Sequence, residues 1–187
     1  YHQKIRMASE YLLSLINDVL DMRKIDQKDI MLLEESVNLR DVIENCRDIL
    51  EAKAGEQEIT LDTTGMAEFN PPQLMASEVH LRQIFMNIIS NAVKYNHAGG
   101  EVRLGCREKP SADPETAQIE FTCADTGIGM SEEFQKHVFE PFAQERNFAR
   151  SEYGGTGLGM PIAKSLAEKM GGTLSFVSRQ GVGTTFT

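Results

Sequence analysis

A polar stripe within an apolar stretch and two glycine clusters are the parts of this sequence best suited to bind a charged ligand. The polar residues recur at i, i+4, i+7 and i+8, a spacing that aligns side chains on one face of a helix. Two amides, a lysine, a tyrosine, a lone aspartate and two glycine turns suit a purine nucleotide with a metal ion, and so predict a site for Mg-ATP. The stripe contains Asn87, Asn91, Lys94 and Tyr95, the first glycine cluster is residues 125–129 (DTGIG), and the second is residues 154–159 (GGTGLG).

The second glycine cluster departs from two familiar phosphate-binding fingerprints. It reads GxGxG where the dinucleotide fingerprint requires GxGxxG, and the sequence contains no Gly-Lys-Ser or Gly-Lys-Thr. Rossmann and P-loop sites are therefore disfavoured. Glycines that open a helix still let backbone N–H groups and the positive helix end face phosphate oxygens. We expect a triphosphate cradle here; the alternative is a loop-to-helix turn in which glycine only supplies positive φ.

The first glycine cluster begins with Asp125, which ends an apolar stretch that reads as a strand. The glycines that follow it would let a planar ligand approach the backbone. A carboxylate at this place can accept a hydrogen bond from an exocyclic amine and so select adenine over guanine. The alternative is an aspartate in a type I turn.

Composition limits the classes of protein that fit. The chain has 187 residues, of which 41% are hydrophobic, enough for one buried core plus an appendage. A formal net charge of -9 argues against nucleic acid as the main ligand. No apolar run approaches the ~20 residues of a membrane span. Cys46, Cys106 and Cys123 form no CxxC pair, which is typical of small core residues in a reducing compartment.

The N-terminal residues 3–25 predict a helix with an apolar seam. Heptad spacing relates Ile5, Ala8, Leu12, Leu15, Val19 and Met22, and Ile16 broadens the seam. Such a helix either packs on its own domain or pairs with a partner helix. The polar stretch 23–29 reads as a linker, so we favour a dimerisation element.

The remaining patterns predict an α+β sandwich rather than a doubly wound parallel sheet, because strands and helices alternate without a βαβ rhythm. Asn38 and Ser77 are predicted N-caps of two helices, and Ser131 of a short third one. The predicted helices span 39–54, 79–95 and about 156–170, with the short one after 131; the predicted strands span 30–33, 58–62, 101–107, 118–124, 172–178 and 183–187.

The order of four motifs resembles bacterial sensor histidine kinases. The stripe at 87–95, the cluster at 125–129, the FEPF run at 139–142 and the cluster at 154–159 are similar to the N, first glycine, F and second glycine boxes of that family. The resemblance implies a Bergerat-type ATP-binding domain at 28–187. It also implies that residues 1–27 are the second helix of the dimerisation and phosphotransfer hairpin.

The resemblance implies a role for each residue that matches a family motif. Asn91 would ligate Mg²⁺ with assistance from Asn87, since amide oxygens suit this hard cation. Lys94 would contact phosphate, Tyr95 would pack at the adenosine, and Asp125 would receive the adenine amine. The base pocket would further include Gly127, Ile128 and Gly129, with Thr184 supporting the aspartate; the lid over the phosphates would use Gly155, Thr156, Gly157, Leu158 and Gly159, a hinge anchored by Phe139 and Phe142, and Gln144, Arg146 and Arg150 reaching towards the triphosphate.

Asn87 also bears on the reaction. In the gyrases, mismatch-repair ATPases and heat-shock chaperones that share this fold, the resemblance places a water-activating glutamate one helical turn before the metal-binding asparagine. An amide cannot act as a general base at neutral pH. The sequence therefore favours phosphoryl transfer to another nucleophile, by positioning and charge neutralisation, over hydrolysis.

A phosphoacceptor histidine in the family's context is not found in this sequence. His2, His80, His97 and His137 all lack the His-Glu/Asp-hydrophobic-Arg-Thr-Pro pattern, so the chain is expected to bind ATP without completing autophosphorylation. Two hypotheses result. One is the catalytic core of a cytoplasmic two-component kinase that forms a homodimer through its N-terminal helix, serves a response-regulator receiver domain, and meets a membrane only through regions outside this chain. The other is a nucleotide-sensing or scaffold module without transfer.

Overall fold

Helices packed against a mixed sheet form the fold of this chain. The computed structural model describes residues 9, 12–13, 15–23, 31–71, 73–111, 113, 115–145 and 155–187. Residues 15–23 are helical and are named α1. The other elements are β1 (Glu35–Val37), α2 (Leu39–Glu56), β2 (Thr60–Gly65), β3 (Leu74–Ala76), α3 (Glu78–Lys94), β4 (Glu101–Lys109), β5 (Gln118–Asp125), α4 (Glu132–Gln135), α5 (Gly159–Lys169), β6 (Phe176–Arg179) and β7 (Gly183–Phe186).

The main sheet has five strands in the order β2-β4-β5-β7-β6. Only the β2–β4 pairing within it is parallel, and the other three are antiparallel. Along β4 the residues Val102, Leu104 and Cys106 are buried while their neighbours are more exposed, which is the period of a sheet with one covered face. The predicted mixed α+β class is confirmed.

Helix α2 begins directly after Asn38, which is its N-cap as predicted. The Asn38 side chain accepts hydrogen bonds from the Arg40 N–H (3.0 Å) and the Asp41 N–H (3.4 Å), so it satisfies two of the orphan donors of the first turn. The helix packs on α3. Its buried face consists of Leu39, Val42, Ile43, Cys46, Leu50 and Ala54.

Helix α3 begins after Ser77 as predicted, but the predicted capping bond is wrong. The Ser77 hydroxyl makes no bond to the backbone N–H groups of the first turn and instead lies 2.7 Å from the side-chain Nδ1 of His80. The helix is held by its apolar face, which packs on α2, α5 and the sheet. That face consists of Ile84, Phe85, Ile88, Ile89, Ala92 and Val93.

The predicted strand at 30–33 is wrong, and two short strands form elsewhere. No strand forms within 31–33, where Met31 and Leu33 are 80% and 74% exposed; residue 30 lies outside the described part. The chain instead pairs antiparallel through β1 with β3, a strand that was not predicted.

Helix α5 starts at Gly159, later than expected, because residues 155–158 are irregular, and β6 starts at Phe176.

The apolar seam of the N-terminal helix divides between two environments. Val19 and Met22 pack against the core of the globular part, as expected for a helix on its own domain. Leu12, Ile16 and Leu20 are 59%, 45% and 49% exposed. The seam positions 5 and 8, and residues 24–29 of the predicted linker, lie outside the described residues. Dimerisation through this helix stays a prediction.

The three cysteines are free and buried, in keeping with their reading as core residues. Burial raises the pKa of Cys46 to about 11 and that of Cys106 to about 12, and it raises the pKa of Cys123 as well. All three therefore remain neutral thiols. Among the described residues, no helix is both long enough and apolar enough to cross a bilayer.

Helix α2 offers a matched test of the core. Ile43 is 0% exposed and Ile49, on the same helix, is 57% exposed. Ile43→Ala is expected to lower the free energy of unfolding by about 2–5 kcal/mol, because it removes buried methyl groups and leaves a cavity. Ile49→Ala should change it by less than about 0.5 kcal/mol. Urea unfolding measures both, and equal losses would contradict the described packing.

Candidate functional site

One cavity of about 310 Å³ brings together most of the predicted site residues. Its walls come from α3, the end of β5, the loops on either side of α4, the start of α5 and β7. Such a volume is typical of a small-molecule site, and its walls combine polar with apolar side chains. The predicted residues that line it are Asn87, Asn91, Lys94, Tyr95, Asp125, Ile128, Gly129, Gly155, Thr156, Gly157, Gly159 and Thr184.

The polar stripe on α3 forms one wall of the cavity. Asn87, Asn91 and Lys94 are half-buried, while the residues on the opposite side of the helix are buried in the core. Because the apolar face fixes the rotation of the helix, the two amides and the lysine must face the cavity. Amide oxygens one turn apart offer neutral ligands to a hard cation.

Lys94 and Tyr95 lie together at the end of this helix. The Lys94 ammonium is 4.7 Å from the centroid of the Tyr95 ring, within the range of a cation–π contact. Burial lowers the pKa of Lys94 and raises the pKa of Tyr95. At neutral pH this end of the cavity therefore contains a partly desolvated positive charge, which an anionic ligand would stabilise.

Asp125 contributes to the cavity from the end of β5. Its Oδ1 accepts hydrogen bonds from the N–H groups of Gly127 (2.9 Å) and Thr184 (3.2 Å). Burial raises the pKa of the Asp125 carboxyl, and these two bonds act against that shift. Since both bonds end on one oxygen, the carboxylate retains a second oxygen for the donor of a ligand.

The first glycine cluster passes so close to α3 that side chains are excluded. A Cβ at Gly127 would overlap the Tyr95 carbonyl oxygen, and a Cβ at Gly129, where φ is 61°, would overlap the Arg179 carbonyl. The Ile128 N–H donates to the same Tyr95 carbonyl at 3.0 Å. The cluster is thereby fixed between the end of α3 and the β6–β7 hairpin.

Thr184 supports Asp125 through its backbone rather than its side chain. The Thr184 hydroxyl is paired with the Ser178 hydroxyl at 2.8 Å, and the residue is only 7% exposed. The supporting bond is thus the N–H of β7, which any residue at this position except proline would supply. The identity of the threonine matters instead for its pairing with β6.

The second glycine cluster lies against the stripe of α3. A Cβ at Gly155 would overlap the Lys94 ammonium group, and one at Gly159 would come within 3.3 Å of the Asn87 amide oxygen. Gly157 has a φ of 71°, and its carbonyl accepts a bond from the Phe142 N–H at 3.0 Å. The glycines therefore leave room around the polar side chains of the cavity.

Some predicted residues do not line the cavity. Leu158 is 0% exposed and belongs to the core, and Gly127 contributes through its backbone bond only. Phe142 has a positive φ of 63° and is 61% exposed, whereas Phe139 packs on Phe176 with ring centroids 5.7 Å apart. Arg146, Arg150 and Gly154 lie outside the described residues, and Gln144 lines the cavity and donates to the Gly155 carbonyl.

Four polar residues of the cavity, Ser90, Lys53, Asp18 and Glu145, were missed by the sequence interpretation. Ser90 lies on the same helix face as the stripe, so its spacing was a usable signal. Lys53, in the last turn of α2, and Asp18, in α1, come from elements without any motif. Among the described histidines at 80, 97 and 137, none lines the cavity; His137 lies 2.9 Å from Glu140 and is exposed to solvent on one side.

The comparisons with known proteins agree with this geometry. Residues 76–187 match the model of the family described as "Histidine kinase-, DNA gyrase B-, and HSP90-like ATPase". The chain is 34% identical over 186 residues to Sensor protein GacS of Pseudomonas syringae pv. syringae, covering 100% of this chain and 20% of that protein. It is 32% identical over 188 residues to the peroxide stress-activated histidine kinase mak1 of Schizosaccharomyces pombe, covering 100% of this chain and 11% of that protein.

Solved structures give the same answer. Full-length ShkA in complex with AMPPNP superposes with a TM-score of 0.77 and 29% identity over 98% of this chain and 36% of that chain. The Acinetobacter baumannii histidine kinase AdeS gives a TM-score of 0.74 over 99% of this chain and 81% of that chain, at 18% identity, which supports the fold alone.

The chain belongs to the histidine kinase-, gyrase B- and HSP90-like ATPase family, and the predicted resemblance to sensor histidine kinases is confirmed. A domain of this family binds ATP. The curated relatives are much longer, since the chain spans 11% of mak1 and 20% of GacS.

A substitution at Asp125 tests the predicted hydrogen bond between its carboxylate and the adenine amine. Asp125→Asn is expected to weaken ATP binding by about 1–3 kcal/mol, because a charged acceptor is lost. Isothermal titration calorimetry measures this. Wild type should prefer ATP to inosine triphosphate, which carries a carbonyl in place of the exocyclic amine, and the variant should lose that preference.

The matched control removes a charge of the same sign elsewhere. Asp113 lies in the loop between β4 and β5 and does not line the cavity. Asp113→Asn should therefore leave the affinities for ATP and for inosine triphosphate unchanged. Equal ATP affinity in wild type and Asp125→Asn would show that Asp125 does not contact the base.

Proposed function

We propose that this chain is the catalytic core of a two-component sensor histidine kinase. It would bind Mg-ATP and transfer the γ-phosphoryl group to a histidine in another segment of the protein, for relay to an aspartate of a response regulator. The observation that carries this proposal is that one cavity is lined by Asn91 and Lys94 of α3 and by the half-buried Asp125 carboxylate at the end of β5. Membership of the ATPase family, with named histidine kinases as relatives, agrees with it.

The different chemistry of Asp125 and Lys94 favours one orientation of the nucleotide. Asp125 suits the adenine amine, with the backbone of the first glycine cluster beside the base. The partly desolvated Lys94 suits phosphate oxygens, and Gly155 lies next to it. We infer that the triphosphate follows the second glycine cluster, where the N-terminal end of α5 adds a favourable dipole.

The donor set of the phosphate end fits a magnesium ion. Asn87 and Asn91 supply amide oxygens from consecutive turns of α3, and Mg²⁺ is commonly held by a few protein oxygens together with substrate phosphates. Among the described residues, no group of three or more His, Cys, Asp or Glu side chains could hold a metal ion. When bound, the ion would neutralise charge on the phosphates.

Transfer is favoured over hydrolysis by the chemistry of Asn87. The related hydrolysing families place a glutamate at the matching position, and an amide cannot take a proton from water at neutral pH. The remaining contributions of this chain are positional. Lys94 and the backbone N–H groups of the second glycine cluster would hold the phosphates, and the walls of the cavity would limit the access of water.

The N-terminal helix supports a proposal about partners. Leu12, Leu13, Ile16 and Leu20 leave large apolar side chains exposed, as a helix does when it pairs with others. We infer a homodimer formed through residues 1–27, with residues 28–187 as the ATP-binding unit. A receiver domain would accept the phosphoryl group. Because the reaction would use ATP, we expect it in the cytoplasm.

Label transfer tests the proposal. A protein extended by its natural upstream residues and incubated with Mg²⁺ and γ-labelled ATP is expected to acquire acid-labile, base-stable label. Asn91→Ala should lower the labelling rate at least about 10-fold, and EDTA should abolish it. Asn70→Ala, at an exposed position outside the cavity, serves as the matched control and should label normally.

Two results would contradict the proposal in different ways. ATP binding without label transfer in the extended protein would favour the nucleotide-sensing module. Release of inorganic phosphate without labelled protein would indicate hydrolysis, and Asn87 would then not decide the reaction.

A further inference from the structure

A carboxylate from the N-terminal helix reaches the phosphate end of the cavity. The Thr156 hydroxyl donates a hydrogen bond of 2.6 Å to Asp18 Oδ2, and Asp18 lines the same cavity as Asn87, Asn91 and Lys94. Asp18 is half-buried. The contact joins residues 138 positions apart in the sequence, and nothing in the predicted roles of the site requires it.

Neighbouring residues hold this segment of α1 in place. Gln83, in the second turn of α3, donates from its side-chain amide to Asp21 Oδ2 at 2.8 Å. Val19 and Met22 pack against the core. Positions 18, 21 and 22 are related by three and four residues, so they share one helix face. The Asp18 carboxylate is therefore part of a docked surface with polar and apolar anchors.

The carboxylate occupies a place that suits an anion. Thr156 lies within the second glycine cluster, beside Gly155 and the desolvated Lys94. A carboxylate oxygen resembles a phosphate oxygen in charge and in its capacity to accept hydrogen bonds. Two anions at one position repel each other, and the repulsion is stronger in a partly buried cavity than in water.

We propose that Asp18 competes with the phosphates of the nucleotide. In the docked arrangement, α1 places its carboxylate at Thr156, and binding of Mg-ATP displaces it. This inference rests on the proposed function, because it requires the triphosphate to lie along the second glycine cluster. Linkage makes the effect reciprocal: release of α1 raises the affinity for Mg-ATP, and Mg-ATP loosens α1 by the same factor. A movement of the N-terminal helix would thus change the affinity of the cavity for the nucleotide.

The test removes the charge while retaining the size of the side chain. Asp18→Asn in the full chain is expected to bind Mg-ATP about 5-fold more tightly or better by calorimetry, a typical coupling between two sites. The gain should shrink as the salt concentration rises, because the competition is electrostatic. Asp21→Ala, which removes an anchor and leaves the Asp18 carboxylate in place, should give a smaller gain in the same direction.

A second readout follows the helix itself. Hydrogen–deuterium exchange of the backbone amides in residues 15–23 should be faster in wild type with saturating Mg-ATP than without it. In Asp18→Asn the exchange should already be faster without nucleotide, and the nucleotide should change it less. Glu68→Gln, a matched loss of one negative charge at an exposed turn outside the cavity, should alter neither the affinity nor the exchange.

The outcomes separate this inference from the proposed function. If wild type binds Mg-ATP and Asp18→Asn binds it equally well, competition by Asp18 is wrong and the proposed function stands. Weaker binding by Asp18→Asn would overturn the inference in another way, because the carboxylate would then assist the ligand. A wild-type chain that does not bind Mg-ATP would overturn the proposed function and this inference together.

Discussion

The hydrogen bond from the Ile128 N–H to the Tyr95 carbonyl, 3.0 Å long, joins the two halves of the cavity. It holds the first glycine cluster against the C-terminal end of α3, and Gly127 is required there because a side chain would overlap the same carbonyl. The stripe of α3 and the carboxylate at the end of β5 therefore keep a constant separation. A ligand that contacts both meets groups whose relative position the fold already sets, which lowers the entropy cost of ordering them.

The second constraint is the burial of charge on either side of this junction. Burial lowers the pKa of Lys94 and raises that of Asp125, so both groups are less well solvated than free side chains. The apolar face of α3 stabilises the arrangement, since hydrophobic burial offsets the cost of desolvating Lys94. An anion at Lys94 and a hydrogen-bond donor at Asp125 would restore the stabilisation that water gives to these charged groups when they are exposed. The site is thus complementary to a molecule that carries both a hydrogen-bond donor for Asp125 and a negative charge for Lys94.

Local signals predicted much of this structure from the sequence. Asn38 caps α2 as its type and position indicate, and the spacing of Asn87, Asn91 and Lys94 placed them correctly on one face of α3. Non-local contacts were not predictable in this way. Pairing of β1 with β3 involves three-residue strands that are too short to show an alternating pattern, and Ser77 bonds His80 rather than the helix backbone. Lys53 and Asp18 reach the cavity only because α2 and α1 pack against α3 and the second glycine cluster.

The contacts at the base of the segment between Gln144 and Gly155 have an evolutionary consequence. Gln144 donates to the Gly155 carbonyl, and the Phe142 N–H donates to the Gly157 carbonyl. Residues 142–144 and 155–157 are therefore held side by side. Closing a loop whose ends are already joined depends only weakly on its length, about 0.6 kcal/mol for each doubling. The number of residues between Gln144 and Gly155 can therefore change at little cost in free energy while these contacts are kept.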